Sequence, residues 1–330
     1  MIRIVVVYFR FDWKLNSKWE KTTIGMKREN QNIIEQYDAA CKELLSQKVI
    51  LAWTMKGCIA EYEELSVEKI MRDCIEGEMQ ISKESLESER ERYLPLIQGD
   101  GGEDTSVQEG RIAYDIRFTA IHPLTGKHIW IDVEPQNDFY PGYSLLKRGL
   151  YYLSRMISAQ RGREFMGSDY DNVKKVYTIW VCMNPPKKWE HWIKHYGIRD
   201  LDDECRFMFR PDEYDLMTQV VVCLGDPRDP KAKGVLRLLS VLLTNVYEPD
   251  EKEQILREEF GIQITNSIRK GLRTMCNLGE GLFNRAKEET EHNINLLYDR
   301  LFSDNRSEDV RRAVKDKAYR DQLMKEYSLA

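Results

Sequence analysis

The stretch RIAYDIRFTAIHPLTGKHIWIDVEPQND, residues 111–138, constrains the fold most. Ile116, Phe118 and Ala120 alternate with Arg117 and Thr119, and Ile129, Ile131 and Val133 alternate with Trp130, Asp132 and Glu134. Alternation of this kind has the period of a strand buried on one face. HPLTGK, 122–127, joins the two runs. A symmetric turn there sets Ile116 opposite Val133, Phe118 opposite Ile131 and Ala120 opposite Ile129. A one-residue slip would mix the faces, so the pattern selects the parity of the register. On the other face Asp115 stands opposite Glu134, and Arg117 opposite Asp132. Gln136 follows Glu134 on that face, with Pro135 between them. Proline belongs to strand edges, ends and bulges, so the ladder is expected to break at Pro135.

Two carboxylates directly opposed destabilise a sheet. They require either a raised pKa or a nearby cation. Magnesium takes oxygen ligands from one or two carboxylates together with water and phosphate. Asp115 and Glu134 are therefore candidate metal ligands, with Gln136 in reach of an ion's water and the Pro135 carbonyl free to act as a further ligand. The competing reading is a solvated strand face, on which Arg117 and Asp132 form an ordinary cross-strand pair. A two-residue slip would keep the faces and pair Asp115 with Gln136 instead.

Elsewhere the chain reads as alternating helices and strands. Residues 31–62 have a helical pattern, LSVEKIMRDCIEG (65–77) a short helix capped by Ser66, and 80–93 a charged helix before the loop GDGGED (99–104). YSLLKRGLYYLSRMISAQ (143–160) is helical, with Leu146, Leu150, Leu153 and Ile157 as its apolar stripe. VKKVYTIWVCM (173–183) is almost continuously apolar, as expected of a central strand covered on both faces, and QVVVCL (219–224) is another. From about 232 the chain turns helical. The 330 residues, 42% of them hydrophobic, are enough for one large domain or two smaller ones. The net charge of -5 excludes a generally basic protein, so nucleic-acid contact would come from a local patch. Seven cysteines, an odd number with no CxxC pair, argue against a disulfide framework or zinc ribbon and for a reducing, cytoplasmic setting. The N-terminal run MIRIVVVYFRFDW is too short for a membrane span and lacks a cleavage site. Met26 offers an alternative start, and residues 1–25 form a lead-in outside the expected fold.

The order of Asp115, turn, and the Glu134–Gln136 triplet resembles the PD-(D/E)XK nucleases, with glutamine in place of the usual lysine. VEPQNDFYPGYSLLKRGLYYLSRMISAQRGREF and VKKVYTIWVCMNPP, together with DAACKELLSQKVILAWTMKGCIAEYEELSVEKI and CIEG in 38–77, are similar to the PD-(D/E)XK nuclease family transposases, relatives of the recombination-promoting nucleases. The resemblance covers roughly residues 30–245. It implies an α/β, restriction-endonuclease-like mixed sheet flanked by helices over 26–245, followed by an α-helical extension over 246–330. It implies a Mg²⁺-dependent DNA endonuclease associated with mobile elements, with Mn²⁺ as a substitute metal. Asp115 and Glu134 would hold the metal and Gln136 would position the attacking water, without the charge a lysine supplies. The family fold often adds a glutamate from its first helix; Glu61 is the candidate, with Glu35 and Glu76 as alternatives.

Arg148, Tyr152 and Arg155 form a second stripe on the 143–160 helix and are candidate DNA-binding residues. Arg161, Arg163, Lys174, Lys175, Lys187 and Lys188 make this the basic region of an acidic chain. Taken singly, each could equally lie on an exposed helix face. HWIKH (191–195) would put two histidines one helical turn apart, but Trp192 stands where a zinc protease has its glutamate, and a structural role is favoured. Cys182 reads as a buried small hydrophobe. The C-terminal stripe Ile268, Leu272, Met275, Leu282, Ala286, Ile294, Leu297 and Leu301, interrupted at Gly279 and Gly281, would pack on the core or pair with a second copy. Two rival functions remain open: a DNA-binding module with an inactive metal site, and an interaction protein that oligomerises through its helices.

Overall fold

The computed structural model describes residues 33, 35–81, 114–200 and 209–329. The lead-in 1–25, the loop 99–104 and nearly all of the expected 80–93 helix lie outside them. Contacts divide the chain into one unit, Glu35–Cys276, and a second that takes in Asn277–Ala330. The division falls inside a single helix, whereas the resemblance implies a boundary near 245.

The first unit is α/β, built on a six-stranded mixed sheet of strand order β1-β2-β3-β4-β6-β5. The strands are β1 (Ile75–Ile81), β2 (Ile116–Ile121), β3 (His128–Asp138), β4 (Val176–Asn184), β5 (Trp192–Gly197) and β6 (Met217–Cys223). β1, β2 and β3 form an antiparallel meander, β4 and β6 run parallel to β3, and β5 returns antiparallel at the edge. The hairpin adopts the register its sequence selects, with Ile116 opposite Val133, Phe118 opposite Ile131 and Ala120 opposite Ile129. The ladder does not break at Pro135, however. β3 runs on to Asp138, with Pro135 opposite Val181 of β4. On its other side the ladder with β2 ends at the Ile116–Val133 pair. Pro135 therefore has a strand neighbour on one side only, which is where a residue without an amide proton is tolerated. Two more expectations are corrected in this sheet. Residues 75–81 are a strand rather than the end of a helix, and HWIKH enters the edge strand β5 rather than a helix.

The apolar face of the hairpin packs against α1 (35–45), α2 (Lys48–Cys58) and α6 (Gly234–Leu243) in one continuous core. Between α2 and β1 lie α3 (Val67–Lys69), capped by Ser66, whose hydroxyl accepts from the Lys69 N–H, and a single wide turn at Ile70–Cys74. α4 (Leu145–Ser158), capped by Ser144, covers the opposite face over β4 and β6. After the short α5 (Pro211–Tyr214) and α6, the chain continues through α7 (Pro249–Glu258) into α8 (Asn266–Ser303). α8 passes through Gly279 and Gly281 without interruption. Its first turns belong to the core of the first unit, where Ile268, Leu272 and Met275 are buried. A Cβ at Gly271 would come within 2.7 Å of Leu44 on α1, and Gln47 Nε2 donates to Ser267 Oγ at 3.3 Å. In the second unit Leu297 and Leu301 of α8 pack on Val310 and Ala313 of α9 (Ser307–Lys315) and Leu323 of α10 (Lys317–Glu326). Among the described residues no helix is long and apolar enough to cross a membrane.

α4 buries a different face from the expected one. Leu145, Gly149, Tyr152, Leu153 and Met156 point into the sheet, whereas Leu146 and Leu150 are exposed, Leu150 by 58%. Gly149 allows this rotation. A Cβ there would lie 2.2 Å from the Gln219 amide, which donates to the Leu145 carbonyl at 3.1 Å. Tyr152 finds ring partners in Trp180 and Tyr114, at 5.7 and 5.3 Å between centroids.

Candidate functional site

The site forms where the hairpin opens, at the start of β2 and the middle of β3. Asp115 lies one residue before β2, and its backbone N–H donates to Glu134 Oε1 at 3.0 Å. Its carboxylate receives Lys42 Nζ on Oδ1 at 2.7 Å. Lys42 comes from α1, and reaches Asp38 Oδ2, one turn earlier on that helix, at 2.6 Å. The Lys42 side chain is only 2% exposed, so this ammonium is held between two carboxylates away from water.

β3 carries Asp132, Glu134 and Gln136 on one face, all buried. Four carboxylate oxygens here have no hydrogen-bond partner: Asp115 Oδ2, both oxygens of Asp132 and Glu134 Oε2. Burial pushes all three carboxyls above their ordinary range, most strongly Asp132 and Glu134. The charge of Asp115 raises Asp132 further, and the charges of Asp132 and Asp115 raise Glu134. Lys42 opposes the rise at Asp115. A buried carboxylate left without a partner is costly, so the cluster calls for protons or for a cation.

Positive charge reaches the cluster from α4 as well. Arg148 Nε and Nη2 donate to the Tyr152 hydroxyl at 3.1 and 2.7 Å, and Nη1 donates to the Tyr143 hydroxyl. The guanidinium stacks 5.4 Å from the Trp180 ring. Burial alone would lower its pKa, but the Tyr152 hydrogen bond, with the charge of Glu134 contributing, carries it up. Arg148 and Tyr152 were expected to meet DNA. Tyr152 turns inward instead and is buried, while Arg148 is half-buried beside the carboxylates, because Gly149 and Tyr152 are what bring α4 onto the sheet. Arg155, farther along the helix, is half-buried.

Glu61 does not join the site. Its carboxylate accepts from the Tyr177 hydroxyl at 2.8 Å and pairs with Lys175 at 2.9 Å, and Tyr177 stands opposite Ile131 on the apolar side of the sheet. Glu76 lies toward the far end of the hairpin, opposite Thr119 and 3.4 Å from His128, and Glu35 is exposed on α1. The helix acid that approaches the site is Asp38. Gln136 is spoken for in part, since its Nε2 donates to the Asp138 carbonyl at 2.5 Å. Pro135 continues the β3–β4 pairing rather than closing it. His195 contacts the Cys58 carbonyl at 2.9 Å, and His191 takes the left-handed conformation at φ 63° just before β5, so the two are not paired on a helix. Cys182 is buried, with Cys223 opposite it in the ladder.

Sequence reasoning missed Lys42, Asp38 and Asp132. Asp38 and Lys42 are four apart on a helix, a spacing that ordinarily marks a solvated pair. Asp132 shares the parity of Glu134, which placed it on the right face, but its pairing with Arg117 suggested a surface salt bridge. Arg117 does stand opposite Asp132 and its charge opposes the rise of that carboxyl, but the guanidinium also stacks on Tyr114 and Trp130, at 5.0 and 5.7 Å.

The unpartnered oxygens are hard donors of the kind a divalent cation takes. Among the described residues no three or more His, Cys, Asp or Glu side chains converge on one point to hold a metal ion. Comparison of the chain with protein-family models, curated proteins and solved structures finds no match.

Proposed function

We propose that the chain is a divalent-metal-dependent DNA endonuclease on a restriction-endonuclease-like α/β core, of the kind its sequence resembles. The observation that carries the reading is the buried carboxylate cluster of Asp115, Asp132 and Glu134, with four oxygens lacking partners at the open end of a hairpin. Asp115 and Glu134 would hold Mg²⁺ or Mn²⁺, with waters completing its shell. When bound, such an ion polarises a phosphate and acidifies a water. The chain's own groups do the rest. Gln136 keeps its side-chain oxygen to accept from the attacking water, while its nitrogen is fixed by the Asp138 carbonyl. Lys42 opposes the rise that burial imposes on the Asp115 carboxyl, and Arg148 offsets charge at Glu134. Hydrolysis then joins the water oxygen to phosphorus as the bridging P–O bond breaks.

A second reading, a DNA-binding module with an inert site, is favoured by two details. Lys42 already occupies one Asp115 oxygen, and the Gln136 amide is tied to its own strand. Nicking of supercoiled plasmid with Mg²⁺, Mn²⁺ or EDTA, by wild type, Asp115→Ala and Glu134→Ala, separates them. Metal-dependent nicking lost in both variants supports the endonuclease. Nicking that survives both variants rejects the site, and binding without nicking by wild type leaves the inert module.

A further inference from the structure

β5 is an edge strand of the sheet, and its residues Trp192, Lys194 and Tyr196 lie on one face of it. That face can be followed across the sheet. Glu134 stands opposite Trp180, Trp180 opposite Val221, and Val221 opposite Lys194. Residues opposite one another in a ladder point to the same side. Lys194 and its two aromatic neighbours therefore share the face of the carboxylate cluster, three strand spacings or about 14 Å from β3. α4 lies over β4 and β6 between them.

Trp192 is 47% exposed and Tyr196 46%. Strand geometry sets the Cα atoms of Trp192 and Tyr196 about 13 Å apart, with the Cα of Lys194 midway. Lys194 Nζ lies 4.2 Å from the centre of the Trp192 ring. Lys187, Lys188, Lys194 and Arg199 stand against Glu190 alone in residues 187–199, in a chain whose net charge is -5. Trp189, with Lys188 5.2 Å from its ring, is exposed just before the strand.

We propose that this stripe is a stacking platform for single-stranded nucleic acid. Exposed rings interleaved with cations are what an unpaired strand uses: every base offers a π-face, and the phosphates between bases meet the ammonium groups. A duplex hides its base faces and cannot use the rings. A strand added to the open edge would pair with the β5 backbone and leave the rings idle. The proposal rests on the nuclease reading only in taking DNA as the polymer, and it deepens that reading by adding an unpaired segment to the substrate. Binding here needs no metal.

The test is fluorescence anisotropy of a fluorescein-labelled oligothymidylate in EDTA at low salt, with thermal melts to check that each variant is folded. Trp192→Ala and Tyr196→Ala should each weaken binding about tenfold, and Trp192→Phe should retain most of it. Lys194→Gln should make the salt dependence shallower by about 0.7 in log–log slope. The duplex of the same length should bind independently of the two rings. The proposal is overturned if wild type does not bind the oligonucleotide or if the ring variants bind as wild type does. It is also overturned if ring removal acts by dissociating a dimer in sedimentation. Metal-dependent nicking without oligothymidylate binding rejects the platform alone. Ring-dependent binding without nicking rejects the endonuclease alone.

Discussion

Lys42→Met would remove the ammonium that α1 sends to Asp115. Methionine keeps the length and the apolar stem, so little cavity is left. What disappears is one positive charge, 2.7 Å from Asp115 and 2.6 Å from Asp38. Removing one partner of a buried pair costs about 3–5 kcal/mol, a large share of the roughly 5–15 kcal/mol that holds a domain folded. The loss should depend on pH. Burial already raises the Asp115 carboxyl, and without Lys42 it rises further. A carboxyl whose folded pKa exceeds its unfolded value contributes stability below the unfolded pKa and loses it as pH climbs through the folded one. The variant should therefore approach wild type in acid and fall away toward neutrality. Urea unfolding followed by tryptophan fluorescence at about pH 5 and about pH 7.5 measures both limits. Asp115→Asn closes the cycle: with the orphaned charge gone, the double variant should be more stable than Lys42→Met alone, with a coupling of about 0.5–3 kcal/mol. A Lys42→Met protein within about 0.5 kcal/mol of wild type near neutrality, at unchanged denaturant slope, would refute the assignment of Lys42 as the compensating cation.

Leu150→Glu should change stability by less than about 0.5 kcal/mol, whereas Leu153→Ala should cost about 2–5 kcal/mol; thermal melts distinguish this burial from the one that leucine spacing suggests. In EDTA, wild-type stability should fall as pH rises through the raised pKa values of Asp132 and Glu134, and Mg²⁺ should restore it by about 2.7 kcal/mol at a hundredfold excess over its Kd; a Mg²⁺-insensitive melt at neutral pH argues against an ion at the cluster. Glu61→Gln should lower the melting temperature, since it strips a charge from Lys175, yet leave plasmid nicking per folded molecule unchanged.

The hairpin was legible because its information is local. Three apolar residues on each strand fix the parity of the register once one face is buried, the symmetric turn selects among the registers of that parity, and that register brings Asp115 to Glu134. Lys42 lies seventy-three positions upstream of Asp115. No periodicity links the two; only the seating of α1 on the sheet does. α4 misled for a related reason. Leucine spacing measures hydrophobicity, whereas the orientation was set by a glycine that fits against Gln219 and a tyrosine that fits against Trp180. β5 was hidden by its polarity: an edge strand with one wet face and a histidine pair reads equally well as a helix turn.

The contact of Gly271 with Leu44 bears on how the molecule is made. α1 leaves the ribosome early and the hairpin follows, yet the helix that closes over the back of α1 arrives more than two hundred residues after it. Until then the helix bearing Lys42 lacks one of its walls. Such long-range closure slows folding and leaves apolar surface open on the nascent chain. A chain cut near residue 245 would be stranded at that stage, so the first turns of α8 act as a clasp of the unit Glu35–Cys276 and not as a detachable tail.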